Sequence, residues 1–413
     1  MMDFSDTEEE AAFRAEVIAF LDANARLKTA TNRTYRSREF GPEDVQLSKA
    51  WQAKKAAAGF AGFHWPKQYG GRGGTQMQAI IFAQEEEKYV VPPGVFNQGV
   101  GMALPTIMAC GTQAQIDRYA RPALFGEEVW CQLFSEPAAG SDLAGLRTKV
   151  VQDGDDWVVN GQKVWTSNAH FSQFAMLVAR SNPDLPKHAG LTFFIVDMAS
   201  PGIEVRRLKQ ISGTSNFCEV FLTDVRIPDA NRVGAVGDGW KVAMTMLANE
   251  RFTVGQAEGP DFEDVLLLAK QVTLDGRPAI EDSAVREQLA KWYCQSQGLK
   301  YTRLRTQTAL SRGKPPGPEA SIAKLVSASK LQEIAAFGID LLGQAGAVMD
   351  EEIAPVNAWF QQALLYAPGK RIAGGTDEIL RNIIAERVLK MPGEIRADKG
   401  MPFNKIPTGA RTS

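Results

Sequence analysis

Trp130-Cys-Gln-Leu-Phe-Ser-Glu-Pro-Ala-Ala-Gly-Ser-Asp142 and, further on, Asn160-Gly-Gln-Lys-Val-Trp-Thr-Ser-Asn168 are the stretches on which the reading of this chain turns. The first starts as an apolar strand and breaks at Pro137 and Gly140, with hydroxyls at Ser135 and Ser141. Such a turn offers backbone N–H groups and hydroxyls to a ring edge or a pyrophosphate. An ordinary tight turn has the same make-up. In the second stretch Trp165 and Ser167 alternate with Val164 and Thr166, so they share one strand face. A tryptophan beside a hydroxyl suits stacking on a planar cofactor; a core tryptophan explains it equally well when it stands alone. Asn160-Gly161 reads as a hairpin turn, because both residues accept positive φ.

Around these stretches the apolar pattern has a period near two from Val129 to about Val225. The expected strands are Val129–Phe134, Arg147–Val151, Trp157–Asn160, Phe174–Ala179, Leu191–Val196, Ile203–Arg206 and Glu219–Phe221. Short strands separated by turn signals point to a barrel or sandwich. Upstream the spacing is helical: Phe13, Val17, Phe20 and Leu21 mark a helix over Glu8–Leu27, with others over Leu47–Ala58 and Gln76–Tyr89. The glycines at 70, 71, 73 and 74 suggest a phosphate loop, but no preceding strand or following Gly-Lys-Ser/Thr supports one, and a plain loop is expected. Helical spacing returns after Gly239, with long helices over Ala284–Leu310, Glu319–Leu342 and Asp377–Leu389, as in a bundle. The expected fold is α+β and multidomain: an N-terminal helical domain (1–127), a central β-barrel (128–235), a C-terminal helical bundle (236–391) and a polar tail (392–413) that is poorly ordered or draped on a partner.

Composition excludes several function classes. The 413 residues carry a net charge of −2, so no basic field for nucleic acid is present. Cys110, Cys131, Cys218 and Cys294 have no zinc or redox spacing, and read as buried free thiols of a reducing compartment. His64, His170 and His188 are too scattered for a His-Glu-x-x-His site, and no metal is expected. The acidic Met1–Glu10 is unlike a signal peptide, and no run of about 18 apolar residues suggests a membrane span. The expectation is a cytoplasmic protein.

Taken together, Phe134 to Asn168 resembles the central signature of the acyl-CoA dehydrogenase family: Thr/Ser-Glu-Pro-x-Ala-Gly-Ser-Asp, then Asn-Gly-x-Lys-x-Trp-x-Thr/Ser-Asn. Pro105, Gly111-Thr112 and Gly126-Glu127 resemble the family's approach to its barrel, and Gly374-Gly-Thr-Asp-Glu-Ile-Leu-Arg381 its closing helix. The resemblance implies FAD as cofactor. It implies that Gln132, Phe134, Ser135, Gly140 and Ser141 contact FAD, with Ser141 also near substrate. Trp165 would cover the flavin face away from substrate and Ser167 would bond near N5. Thr376 and Glu378 would reach FAD at a helix N-terminus. Part of FAD is bound by a neighbouring subunit in this family, so a homotetramer or homodimer is implied, with a heterotetramer as the alternative.

Desaturating a thioester removes an α-proton and passes a β-hydride to flavin N5, which asks for a carboxylate beside a hydrogen-bonded carbonyl. Many family members carry that glutamate where this chain has Gly374. On the helix after Gly239, at about 100° per residue, Trp240, Met244, Leu247 and Val254 form an apolar stripe with Glu250 at its edge and Arg251 within it. Burying charge there is costly unless it is paired or functional. Leu247-Ala-Asn-Glu250-Arg251 resembles the context in which isovaleryl- and long-chain-type members carry their base. The resemblance thus implies Glu250 as base, with Arg251 and the backbone N–H of Gly374 on the substrate side. It also implies an acyl-CoA substrate and an electron-transfer flavoprotein as acceptor. The chain departs from the family in lacking its Arg-x-x-Phe-Gly motif around Leu268–Ser283 and in reading Leu342-Gly-Gln-Ala-Gly346 where a Phe-Gly-Gly turn is common. Those departures resemble a bacterial subgroup that includes members acting on bulky or steroid acyl-CoAs. The alternatives are a FAD-binding partner subunit of a heteromeric dehydrogenase and a flavin monooxygenase on the same fold.

Overall fold

The computed structural model describes residues 6–29, 39–253, 259–311, 317–318, 320–393, 395–396 and 398–407. The first third is helical. Helix α1 (Glu8–Asn24) opens on a capping box between Thr7 and Glu10 and buries Phe13, Val17 and Leu21, which recur every four residues. Helices α2 (Pro42–Ala57), α3 (Gln76–Glu86), α4 (Leu104–Cys110) and α5 (Gln113–Leu124) follow. The last starts on a Thr112/Gln115 capping box at the Gly111-Thr112 turn. Strands β1 (Arg26–Leu27) and β2 (Tyr89–Val90) pair antiparallel.

The loop with the four glycines is an ordinary loop. The amides of Gly70, Gly71, Arg72, Gly73 and Gly74 donate to the carbonyls of Lys67, Pro66, Gly62, Trp65 and Phe63. None is left to cradle a phosphate. A Cβ on Gly71 would stand 2.4 Å from the Trp65 carbonyl oxygen, so glycine is required there by close approach.

One sheet of eight strands follows: β3 (Trp130–Leu133), β4 (Lys149–Asp153), β5 (Asp156–Ser167), β6 (Phe174–Arg180), β7 (Leu191–Asp197), β8 (Ile203–Leu208), β9 (Phe217–Pro228) and β10 (Arg232–Val233). Its order is β10-β7-β6-β4-β5-β9-β8, with β3 running parallel to β6. The sheet curls around one core that includes Leu133, Trp157, Leu177, Phe194, Val220 and Ile227. Strands β6 and β7 are also covered on their other face, where Met176, Val178, Phe193 and Ile195 pack in a second cluster with Leu104, Ile107 and Leu124. Burial on both faces explains their nearly unbroken apolar sequences.

Asn160-Gly161 is not a hairpin turn. Both residues lie inside β5, where the pairing with β9 shifts register between Val159 and Gly161. The β4–β5 turn sits at Gly154, whose φ is +63°. Gly161 instead answers to a close approach, since a Cβ there would meet the Thr148 hydroxyl at 2.5 Å. Asn160 Nδ2 donates to Asp224 at 2.9 Å, and its Oδ1 accepts from the Asp224 amide at 2.9 Å.

Helices α6 (Gly239–Thr253), α7 (Phe262–Gln271), α8 (Ser283–Ser311), α9 (Ala320–Leu342), α10 (Trp359–Ile372) and α11 (Asp377–Ile383) complete the fold. The apolar face of α6 is rotated from the one expected: Val242, Ala243 and Met246 are buried, while Trp240 and Leu247 flank them. In the bundle, Val265, Leu268, Leu289, Trp292, Ile334 and Phe360 share a core. Lys330 Nζ donates to both Asp261 carboxylate oxygens, at 2.9 and 2.7 Å, and to Ser296 Oγ at 2.6 Å, tying the starts of α7 and α8 to α9. The cysteines are free as expected, although Cys294 is exposed rather than buried.

By contact the chain separates into two compact units, one of Met1–Arg38, Thr75–Val91 and Val254–Pro392, the other of Glu39–Gly74, Pro92–Thr253 and Gly393–Ser413. The barrel, with α2 and α4–α6, lies in the second unit. The tail departs from expectation, because Asp398–Lys405 is held by the barrel of its own chain.

Candidate functional site

In the barrel unit the two signature stretches are fastened together by a buried ion pair. Lys163 is fully buried and its Nζ donates to Glu136 Oε1 at 2.9 Å, to the Phe134 carbonyl at 3.0 Å and to the Val178 carbonyl at 3.0 Å. Glu136 also accepts from the amides of Arg147 (2.6 Å) and Thr148 (2.9 Å). Every donor of the ammonium is therefore used, as a buried charge requires. Burial pushes Lys163 down to about 8, against the pull of Glu136. Burial alone would raise Glu136, but Lys163 and its hydrogen-bond donors hold the carboxyl below the usual carboxylate range. The pair was missed in the sequence, although a lysine and a glutamate inside otherwise apolar or small-residue stretches were its signal.

This clamp shapes a ledge. Glu136 and Ala139 exchange backbone hydrogen bonds at 3.0 and 3.1 Å around Pro137, and the Ser135 carbonyl accepts from the Val164 amide at 2.9 Å. Gln132 and Ser135 are half-buried; Gly140 and Ser141 are exposed. A Cβ placed on Gly140 would meet nothing within 4 Å, so the ledge is open there. The Phe134 ring is buried edge-on against Phe193 at 5.7 Å, and its carbonyl is taken by Lys163. Its side chain belongs to the core.

Trp165 lies beside this ledge and is not a core tryptophan. It is 61% exposed, with Val164 and Thr166 buried on either side and Ser167 half-buried. Its φ is +59°, at the second register shift of β5 against β9, between Lys163 and Thr166. A non-glycine residue at positive φ stores roughly 1–3 kcal/mol. An exposed indole in a strained backbone contributes nothing to the core, and its outward face fits a planar aromatic ligand such as a flavin.

Helix α6 is pinned to α4 in the same unit: Asn249 Nδ2 donates to Thr106 Oγ1 at 3.3 Å, and Cys110 Sγ lies 3.9 Å from Thr245 Oγ1. The backbone of Glu250 falls in the last turn of α6, one helical turn beyond the buried Met246. The side chains of Glu250 and Arg251 lie outside the described residues.

The closing signature belongs to the bundle unit. Gly374 and Gly375 have φ of +65° and +93°, a turn that only glycine adopts freely. Thr376 caps α11, its Oγ1 accepting from the Ile379 amide at 3.3 Å, and Glu378 is exposed in the first turn. Lys324 Nζ on α9 donates to the Gly375 carbonyl at 2.6 Å, and burial pulls its pKa down. Arg371 Nε donates to Asp377 Oδ2 at 2.7 Å, while Asp377 Oδ1 is buried without a partner. Gln332, Arg371, Thr376, Asp377 and Glu378 line a cavity of about 270 Å³. Lys324, the cation in Ile322-Ala-Lys-Leu325, was not assigned from the sequence.

Three family models match the chain in register with these elements. They are the acyl-CoA dehydrogenase N-terminal domain over residues 7–127, the middle domain over 131–225 and the C-terminal domain over 237–389. The chain belongs to the acyl-CoA dehydrogenase family. It is therefore an oxidoreductase of that family, as the signatures implied. Among relatives, it is 35% identical to the acyl-CoA dehydrogenase IpdE1 of Mycobacterium tuberculosis, over 95% of this chain and 99% of that one. It is 39% identical to the acyl-CoA dehydrogenase FadE34 of the same organism, over 83% of this chain but only 46% of FadE34. The fold is similar to the structure titled Tcur3481-Tcur3483 steroid ACAD, with a TM-score of 0.77 at 25% identity over 95% of this chain and all of that one. It is also similar to the ChsE4-ChsE5 complex from Mycobacterium tuberculosis, with a TM-score of 0.76 at 27% identity and the same coverage. Among the described residues no helix is long and apolar enough to cross a membrane.

Proposed function

We propose that this chain is a FAD-dependent acyl-CoA dehydrogenase that desaturates an acyl-CoA thioester between Cα and Cβ. When bound, FAD supplies the hydride acceptor. The observation that carries the reading is the open ledge of Ser135, Gly140 and Ser141 beside the strained, outward-facing Trp165. In this assignment Trp165 stacks on the isoalloxazine and Ser167 bonds its polar edge. Gln132, the Phe134 backbone and Ser135 meet the ring from the ledge, and Ser141 serves cofactor and substrate. Thr376 and Glu378 hold the remainder of FAD, in the same or a neighbouring subunit. Glu250 takes the α-proton, the Gly374 N–H polarises the thioester carbonyl, and Arg251 lies on the substrate side. An electron-transfer flavoprotein is the acceptor in this reading. The names of IpdE1's steroid-linked structural neighbours favour a bulky acyl group.

Anaerobic bleaching of the flavin by straight, branched and steroid acyl-CoAs tests the assignment. Glu250→Gln is expected to keep flavin and ligand binding and to lose bleaching rate by orders of magnitude. Wild-type bleaching in that variant would remove Glu250 from the mechanism. A second reading has one observation in its favour: position 374 lacks a carboxylate, and the two structural neighbours are titled as pairs of chains. In that reading the chain is the FAD-binding partner of a second subunit that carries the base. Bleaching only after a partner chain is added would favour it.

A further inference from the structure

The tail residues Asp398–Lys405 run along the barrel loop 182–187. The Phe403 amide donates to the Leu185 carbonyl at 2.9 Å, and the Asn404 amide to the Pro183 carbonyl at 3.0 Å. Asn404 Nδ2 donates to Asp184 Oδ1 at 2.6 Å, and Pro402 forms a bridge with Pro186. Beneath this segment lie two buried cations. The Arg180 guanidinium stands 3.5 Å from the Phe403 ring centroid and donates to the carbonyls of Ala144 (2.6 Å), Leu146 (3.1 Å) and Lys187 (3.1 Å). Lys187 Nζ donates to both carboxylate oxygens of Asp142, at 2.9 and 3.1 Å, and pairs with Asp398.

The cations covered by the tail are thus the ones that hold Asp142–Leu146, the residues directly after Ser141. An aromatic face over a desolvated guanidinium is attractive by up to about 2 kcal/mol. A lysine shared between two carboxylates couples the positions of both. We propose that Asp398–Lys405 is a strap that positions the signature ledge, with Phe403 acting through Arg180 and Asp398 through Lys187 to fix where Ser141 stands toward cofactor and thioester. The role in ligand binding rests on the ledge reading above; the strap itself rests only on these contacts.

The test uses the full chain, with Phe403→Ala and Asp398→Asn compared with Phe403→Tyr and Asp398→Glu. Amide hydrogen exchange is followed at 140–147 and, as a control for global opening, in β3 and β6. FAD release on dilution, and KM and kcat with whichever acyl-CoA bleaches the wild-type flavin fastest, are measured in parallel. Removing the contacts is expected to speed exchange at 140–147 roughly tenfold while β3 and β6 keep their protection. FAD release and KM should rise several-fold with a smaller change in kcat, and the conservative variants should stay near wild type. Unchanged exchange at 140–147 overturns the strap, as does a uniform rise that includes β3 and β6. Faster exchange with unaltered FAD release and KM upholds the strap and counts against the ledge as a ligand site.

Discussion

The barrel ledge and the closing turn of the bundle both hang a backbone carbonyl on a lysine, but they are secured to different degrees. At the ledge, Lys163 is fully buried, neutralised by Glu136, and bonded to two carbonyls, while Glu136 gathers two further amides. At the closing turn, half-buried Lys324 holds the single carbonyl of Gly375, and the turn is otherwise two exposed or half-exposed glycines at positive φ. The difference is one of solvent. A buried network must be satisfied completely, so the positions of Ser135 and Trp165 are over-determined. An exposed turn can exchange its lysine for water, and its geometry follows the glycine dihedrals more than any one bond.

The sharpest way to break this contrast is Lys163→Met. It leaves Glu136 buried without its counter-charge and should cost about 3–5 kcal/mol in denaturant unfolding of the barrel. A loss below about 1 kcal/mol would show that the ledge is not clamped by this pair. The same pair has a pH signature. Glu136 titrates below its ordinary value of 4.5 in the folded state, so the unfolded chain binds the proton first. Its stabilisation is complete above 4.5 and is lost as pH falls through the lower folded value. Glu136→Gln should flatten that part of the acid limb, although the variant is less stable at neutral pH. At the closing turn, Lys324→Met should cost only about 1.5 kcal/mol, the low end for a hydrogen bond to a charged group at a half-wet site. A cost matching that of Lys163→Met would erase the distinction between the two turns. The smallest expected effect is on Trp165→Gly, which should stabilise the FAD-free protein by up to about 1 kcal/mol through relief of its positive φ, yet weaken FAD retention. Stability lost in the FAD-free variant would mean that the indole serves packing after all.

The barrel strands were legible in the chain because alternation and apolar runs report directly which faces are buried. Trp165 and Ser167 do share the outward face that their spacing required. The same reasoning misplaced Asn160-Gly161, since turn statistics register the φ that glycine permits and not the approach of Thr148 that makes it necessary. The rotation of α6 was misread for a related reason: Trp240 and Leu247 are large enough to flank a core as well as fill it, and Val242 and Ala243 were the residues that filled it. The tail read as unstructured because it has no periodicity. Its order comes from Arg180 and Lys187, which lie some two hundred positions away and look like ordinary surface charges in sequence.

By itself the sequence determined the family, the succession of helices, strands and bundle, and the identity of the ledge residues, because those depend on local propensity, burial period and two long motifs. Only the tertiary structure decided what holds the ledge. Whether Lys163 meets Glu136, whether Arg180 meets Phe403 and whether Trp165 faces outward depend on sheet register and on which charges share a desolvated space. Those are set by the whole packed unit and by no stretch of the chain alone.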